Sequence, residues 1–140
     1  MKSTAVDLHG QDGDIRIIRN HHGIPEISAH SLADLMHGLG WIHARDRQLQ
    51  TLFTRILLQG RAAELLKADG DLIEVDTYMR RMNFLPDAGD QLSRLAPATR
   101  QVLDAYANGF SNWITANGAV LEFKLLGYRH PEPYTASDCL

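Results

Sequence analysis

The sequence has a single cysteine, Cys139, which excludes an internal disulfide and leaves the redox compartment open. It lacks an apolar run of the length that a signal peptide or a membrane-spanning helix requires, and its N-terminus, MKSTAVDLHGQDGD, is polar. As written, such a chain would stay in the cytoplasm and off the membrane. Its 14 Lys and Arg residues are scattered among 17 Asp and Glu, so there is neither a nucleic-acid footprint nor a basic block for a lipid surface. Repeats, low-complexity stretches and a G-x-S-x-G elbow are missing as well. What is present is an ordinary soluble composition, 44% hydrophobic and 22% charged over 140 residues, enough for one core and too little for two domains.

The chain is organised around residues 31–66. Apolar residues recur there at Leu35, Leu39, Ile42, Leu49, Phe53, Ile56 and Ala63, in threes and fours, the period of one helix face. On that phase the stripe passes through Asp46, flanked by Arg45 and Arg47. A carboxylate on a buried stripe needs an ion pair or hydrogen bonds, because an isolated charge out of water costs several kcal/mol. Arg45, Arg47, Arg80 and Arg81 are the candidate partners, and Asp46→Ala is expected to cost roughly 3–5 kcal/mol. Ser31 and Asp34 form an S-x-x-D capping box ahead of the periodicity. Gly38 and Gly40 each cost about 1 kcal/mol in a helix interior, so the pair predicts a bend or a close backbone approach. Asp46, Arg47, Gly38 and Gly40 are accordingly the structural candidates of this element.

Residues 1–13 read as a frayed, flexible tail. Residues 14–19 and the stretch IPEISA read as a hairpin around the turn formers 20–23, with Pro25 confining its strand to an edge. Asp69-Gly70-Asp71 starts a second helix through Leu72, Val75, Tyr78, Met79 and Met82, ending before Pro86, and a short helix is predicted over 87–95. Pro97 suits a first helical position, and Val102, Leu103, Tyr106, Phe110, Trp113 and Ile114 mark an amphipathic helix as far as Asn117-Gly118. Thr135 and Asp138 form a last capping box with only two residues after it. A helix cannot nucleate on so few residues, so the chain is expected to be a piece of a longer polypeptide. Fold class is therefore mainly α with a small N-terminal β-hairpin.

Several of these stretches resemble one family. The run GLGWIHARDR at 38–47, Gln50, and Gly60-Arg61-Ala62-Ala63-Glu64 is similar to the signature near the start of the penicillin acylase α chain. Gly23-Ile24-Pro25-x-Ile27-x-Ala29 precedes it. Tyr106-Ala107-x-Gly109, Glu122-Phe123-x-x-Leu126-Gly127 and Pro131-Glu132-Pro133-Tyr134-Thr135-x-x-Asp138 follow in the family's order. The resemblance covers residues 14–140, which it identifies as a truncated α-chain segment of an α+β N-terminal-nucleophile hydrolase with an αββα sandwich. It implies an amidohydrolase that cuts acyl amides such as β-lactam antibiotics or acyl-homoserine lactones. It also implies a precursor that cleaves itself into an α chain, a spacer and a β chain, forming a heterodimer, and export to the periplasm. The nucleophile would be the first residue of the β chain, with its own α-amine, of pKa near about 8, as the base. No catalytic or substrate-binding residue is carried onto this chain. No cofactor is expected in it, calcium is possible in the complete enzyme, and this chain alone is expected to be inactive.

Rival chemistries are weaker. Of the seven histidines, His43 stands at i, i+3 to Asp46, a chelating spacing, but a third ligand on that face is missing, and His21-His22 lies in a turn. Ser31 is better explained as an N-cap than as a nucleophile, and Ala136-Ser137 resembles a cleavage junction with almost no chain after it. Arg61 and Glu64 read as partly exposed helix charges. The alternative to an enzyme component is a non-enzymatic helical binding or remnant module.

Overall fold

The structure, a computed structural model, describes residues 5–140. Strands β1 (Ala5–His9), β2 (Asp14–Arg19) and β3 (Pro25–Ser28) form an antiparallel sheet in that order. Helices follow as α1 (Leu32–Leu58), α2 (Ala62–Leu65), α3 (Gly70–Met82), α4 (Phe84–Arg94), α5 (Pro97–Asn117) and α6 (Leu121–Leu125), with a closing 3-10 turn at Ala136–Cys139. The protein is thus mainly helical with a small N-terminal sheet. Among the described residues, no helix is long and apolar enough to cross a membrane.

The sheet corrects the reading of residues 1–13 as a tail: Ala5–His9 is a strand, paired from Ala5↔Ile18 to His9↔Asp14, and only residues 1–4 lie outside the described residues. Val6 and Leu8 alternate inward, a signal too short to stand out beside polar neighbours. The β1–β2 turn closes with Gly10 N–H donating to Gly13 O at 2.8 Å. β2 is central, with Ile15 and Ile17 fully buried, and β3 is an edge that begins at Pro25.

Ser31 caps α1, its Oγ accepting from Asp34 N–H at 3.2 Å. The helix is kinked at Arg47, whose φ of −133° and ψ of 17° are non-helical, not at the glycine pair. Gly38 and Gly40 serve close approach instead. A Cβ on Gly38 would meet Ile15 Cγ2 and Ile27 Cγ2 at 2.9 Å, and one on Gly40 would overlap the Tyr106 carbonyl of α5. Gly109 mirrors it on α5, where a Cβ would overlap the His37 carbonyl. The two helices therefore cross backbone to backbone. Gly60 stops α1 with φ of 62°, and its missing Cβ leaves room for the Asp76 carbonyl.

The buried stripe of α1 differs from the predicted one. Asp34, Gly38, Gly40, Ile42, Ala44, Gln48, Leu52, Arg55 and Ile56 face inward, whereas Leu35, Leu49 and Phe53 are exposed. Ile42 and Ile56 of the predicted row are buried, but the small residues at the α5 crossing carry no hydrophobic signal and Gln48 and Arg55 are polar, so the inward face was only partly visible. Two cores result. One joins Leu52 and Ile56 of α1 to Phe110 and Ile114 of α5 and Phe123 of α6; the other joins Ile15, Ile17 and Ile42 under the sheet.

The remaining helices follow their sequence signals with small shifts. Asp69 caps α3 by accepting from Asp71 N–H at 3.1 Å. Asn83, in the left-handed region at φ 63°, joins α3 directly to α4, so α4 starts at Phe84 and holds Pro86 in its first turn, where a missing N–H leaves no bond unmade. Pro97 opens α5 and Gly118, at φ 71°, closes it.

Candidate functional site

Two of the recognised motifs meet beside α1. Arg61, from the Gly-Arg-x-Ala-Glu stretch just before α2, donates to Glu64 at 3.2 and 2.8 Å and to Glu132 at 2.8 and 3.0 Å. Glu132 belongs to the Pro-Glu-Pro-Tyr-Thr segment, so two motifs far apart in sequence share one guanidinium. Hydrogen bonds from Arg61 hold the Glu132 and Glu64 carboxyls below the usual carboxylate range, against a smaller opposing effect of burial. The same carboxylates raise the Arg61 pKa.

Arg55 completes the network from the inner face of α1. It donates to the carbonyls of Glu132 and Pro133 at 3.0 and 3.2 Å and to Glu132 Oε2 at 3.2 Å, and its Nε lies 3.4 Å from Asp138 Oδ1. Its guanidinium also sits 5.8 Å above the Tyr134 ring. Gln59 donates to Asp138 Oδ1 at 3.0 Å, and Asp138 Oδ2 accepts from the backbone and hydroxyl of Thr135, both at 2.8 Å. These bonds complete a capping box at the start of the 3-10 turn Ala136–Cys139.

Two more buried carboxylates tie segments together. Asp34 accepts from Gln11 N–H at 2.7 Å and Asp12 N–H at 3.1 Å, so the second half of the predicted capping box is instead an anchor for the β1–β2 turn. Asp76 of α3 accepts from Ala62 and Ala63 N–H, both at 2.8 Å, satisfying the free donors at the start of α2. Gln48 donates to Gly118 O at 2.9 Å, and Arg80 Nε donates to Gly60 O at 2.8 Å. Among the described residues, no buried side-chain nitrogen or oxygen lacks a partner.

Asp46 is exposed rather than on the buried stripe. Its partner is Arg19 of β2, which donates at 2.6 and 2.5 Å, and not Arg45, Arg47, Arg80 or Arg81. Arg47 donates to Gln50 Oε1 at 3.3 Å, and Arg45 lies over the Trp41 ring at 5.8 Å. His43 does not share a ligand position with Asp46: its Nδ1 is 2.9 Å from the Tyr106 hydroxyl. Burial lowers the His43 pKa and pushes that of Tyr106 up to about 12, so the pair is neutral at neutral pH. His37, also lowered by burial, meets Asn112 at 3.3 Å.

Several hydroxyls are committed to structure. Ser111 Oγ accepts from Tyr134 N–H at 2.8 Å and donates to Tyr134 O at 2.9 Å; Ser93 donates to Asp90 O at 2.7 Å and Thr77 to Ile73 O at 2.7 Å. Between α1, α4 and the 3-10 turn lies a cleft of about 160 Å³, walled by Leu58, Phe84, Leu85 and Ala88 and floored by Arg55 and Asp138. Sequence reasoning missed Arg55, Asp34 in its anchoring role, and Asp76. Arg55 had a usable signal, a lone charge between Leu52 and Ile56.

Three comparisons identify this arrangement. The chain matches the penicillin amidase family over residues 14–140. It is 35% identical over 112 residues to acyl-homoserine lactone acylase QuiP of Pseudomonas syringae pv. syringae, covering 80% of this chain and 13% of that protein. It is 35% identical over 134 residues to penicillin acylase 2 proenzyme of Pseudomonas sp. strain SE83, covering 94% of this chain and 17% of that protein. Penicillin G acylase of Escherichia coli is 36% identical over 102 residues, 72% of this chain and 12% of that protein. The chain therefore spans less than a fifth of these relatives. A solved structure of thermostable penicillin G acylase from Alcaligenes faecalis has the same fold, with a TM-score of 0.74 at 22% identity over 99% of this chain and 69% of that one. The chain belongs to the penicillin amidase family.

Proposed function

We propose that this chain is the N-terminal α-chain portion of an N-terminal-nucleophile amidohydrolase that cleaves acyl amide bonds, of the kind found in β-lactam antibiotics and acyl-homoserine lactones. The observation that carries this reading is the use its motif residues make of one another. Arg55, Arg61, Glu132 and Asp138 form a scaffold joining α1, α2 and the C-terminal segment, and the hydroxyls of Ser31, Ser111 and Thr135 are bound to neighbouring backbone or carboxylate groups.

In this reading the chemistry belongs to a β chain of the same precursor. A Ser, Thr or Cys at its first position attacks the amide carbonyl, its free α-amine takes the proton, and backbone donors of that chain hold the oxyanion. The present chain supplies a rigid support, and its outward apolar rows, Leu35, Leu49 and Phe53 on α1 and Val75, Tyr78 and Met82 on α3, supply surface for the partner to cover. Buried Asp34, Asp76 and Asp138 are occupied by N–H donors and do not fit a metal ion, so a calcium ion, where the complete enzyme uses one, is held by other residues.

The test is to express the full coding region and sequence the N-termini of the mature polypeptides. A second chain beginning with Ser, Thr or Cys is the expected result. A single uncleaved polypeptide, inert toward acyl amides, would favour a non-enzymatic helical module.

A further inference from the structure

Two Asn-Gly pairs lie along α5, Asn108-Gly109 in its middle and Asn117-Gly118 at its end. An asparagine before glycine is open to attack by the next backbone nitrogen on its own side-chain amide, because glycine has no Cβ to shield that nitrogen. Asn20, Asn83 and Asn112 are followed by His21, Phe84 and Trp113, whose side chains hinder the same approach. Asn108 and Asn117 are both exposed, so contact with water does not separate them; the backbone does. Gly109 is buried against the His37 carbonyl at the α1–α5 crossing, and Asn108 can leave its helical conformation only if the two helices part. Asn117 is the last residue of α5. Two last-turn bonds hold it, Gly118 N–H to Ile114 O at 2.6 Å and Asn117 Nδ2 to Trp113 O at 3.0 Å. Among the described residues, chain neighbours apart, nothing lies within 4 Å of where a Gly118 Cβ would stand. Helix ends open at far lower free energy than a packed crossing.

We propose that Asn117 is a site of spontaneous deamidation, and that the isoaspartate formed there frees the α5–α6 corner from Gln48. The inference stands independently of the acylase reading. The Gly118 nitrogen, its proton given up to solvent base, bonds to Asn117 Cγ; the Cγ–Nδ2 bond breaks and Nδ2 leaves as ammonia, taking protons from water. The resulting succinimide takes up a water. Opening at Cγ restores the main chain and leaves aspartate, whereas opening at the Asn117 backbone carbonyl leaves isoaspartate, with the chain running through the side chain. The balance is amide plus water to carboxylic acid plus ammonia, with no oxidant or reductant.

The consequence follows from what Gly118 holds. Gln48 of α1, 2% exposed, donates to Gly118 O at 2.9 Å, and Ala119 just beyond is buried in the main core. Isoaspartate lengthens the main chain between Cα of residue 117 and the Gly118 nitrogen. With Ala119 seated, Gly118 O is carried off its place and the buried Gln48 amide loses this acceptor. Either product also puts a carboxylate at the negative end of α5, whose last turn holds no basic residue.

The experiment ages the protein, expressed from its full coding region, at neutral and mildly alkaline pH. Samples are digested in acid, where the reaction is arrested, and sequenced by electron-transfer mass spectrometry, which reports amide-to-acid conversion at each asparagine and separates isoaspartate from aspartate. Peptides of sequence ITANGAV and AYANGFS set the unstructured rates. Scaled to its peptide, Asn117 is expected to convert at least about tenfold faster than Asn108 scaled to its own, because the helix end opens more readily than the crossing. The rate at Asn117 should rise with pH, since the attacking nitrogen is the deprotonated one. A smaller ratio, or an intact Asn117 after its peptide has converted completely, overturns the site. Aged wild type carrying isoaspartate should unfold at lower denaturant than fresh protein, while Asn117→Ser aged beside it should match its own fresh sample. Isoaspartate-bearing protein as stable as fresh protein overturns the release from Gln48.

Discussion

The α5 helix and the C-terminal segment, residues 128–140, share one core with α1 but join it differently. At the α1–α5 crossing, Gly40 and Gly109 let backbone meet backbone, and no charged group takes part. Along the C-terminal segment, Tyr128 and Tyr134 join the core, and guanidinium, carboxylate and amide groups are added, several of them reaching backbone that has no ladder of its own. The first kind of joint depends on shape and tolerates no added atom. The second adds charged bonds, with Glu132 open to solvent, to buried aromatic packing.

The largest expected effect lies at the steric joint. Gly109→Val should destabilise by about 3 kcal/mol or more, because the added carbons overlap the His37 backbone, which cannot move without shifting α1. Denaturant titration followed by circular dichroism checks this. A loss under about 1 kcal/mol would mean the helices can separate, and the contrast between the two joints would fail.

Next comes Asp34→Ala. It leaves the Gln11 and Asp12 amides without their acceptor and is expected to cost about 2–3 kcal/mol, the usual range for hydrogen bonds to a charged group. Amide exchange should show the β1–β2 turn losing protection first. Retained protection there would show that the turn holds itself.

The smallest effect is expected at Asp46→Ala. Its pair with Arg19 is partly open to solvent, so the change should cost no more than about 1 kcal/mol and should shrink in high salt. The larger cost expected from the sequence rested on a helix phase that the structure does not adopt. A measured loss above about 3 kcal/mol would restore the buried reading.

Why that phase was misread is physical. The periodic row mixed buried Ile42 and Ile56 with Leu35, Leu49 and Phe53, which point outward, while the inward row also holds glycine, alanine, glutamine and arginine. Hydrophobic periodicity reports an apolar face, not which neighbour covers it. The caps and breakers were readable because they act locally: Ser31, Asp69, Pro97 and Gly118 all mark element ends. The motif residues were readable as a group, but their joining was not, since Arg61 and Glu132 stand 71 positions apart and nothing local signals that they meet. β1 escaped because it is only five residues long and the glycine-bearing turn after it is anchored by Asp34, 22 positions beyond Asp12.

The central claim is that this chain is the supporting part of an acylase whose nucleophile lies on another chain. Its most direct test is acyl-amide hydrolysis, measured with a panel of acyl groups, by the 140-residue chain alone and by the full coding region expressed as one precursor. The account predicts no turnover above background for the isolated chain, turnover by the processed precursor, and loss of that turnover when the first residue of the second chain is replaced by Ala. Turnover by the isolated chain, or turnover by the precursor that survives that replacement, would contradict it.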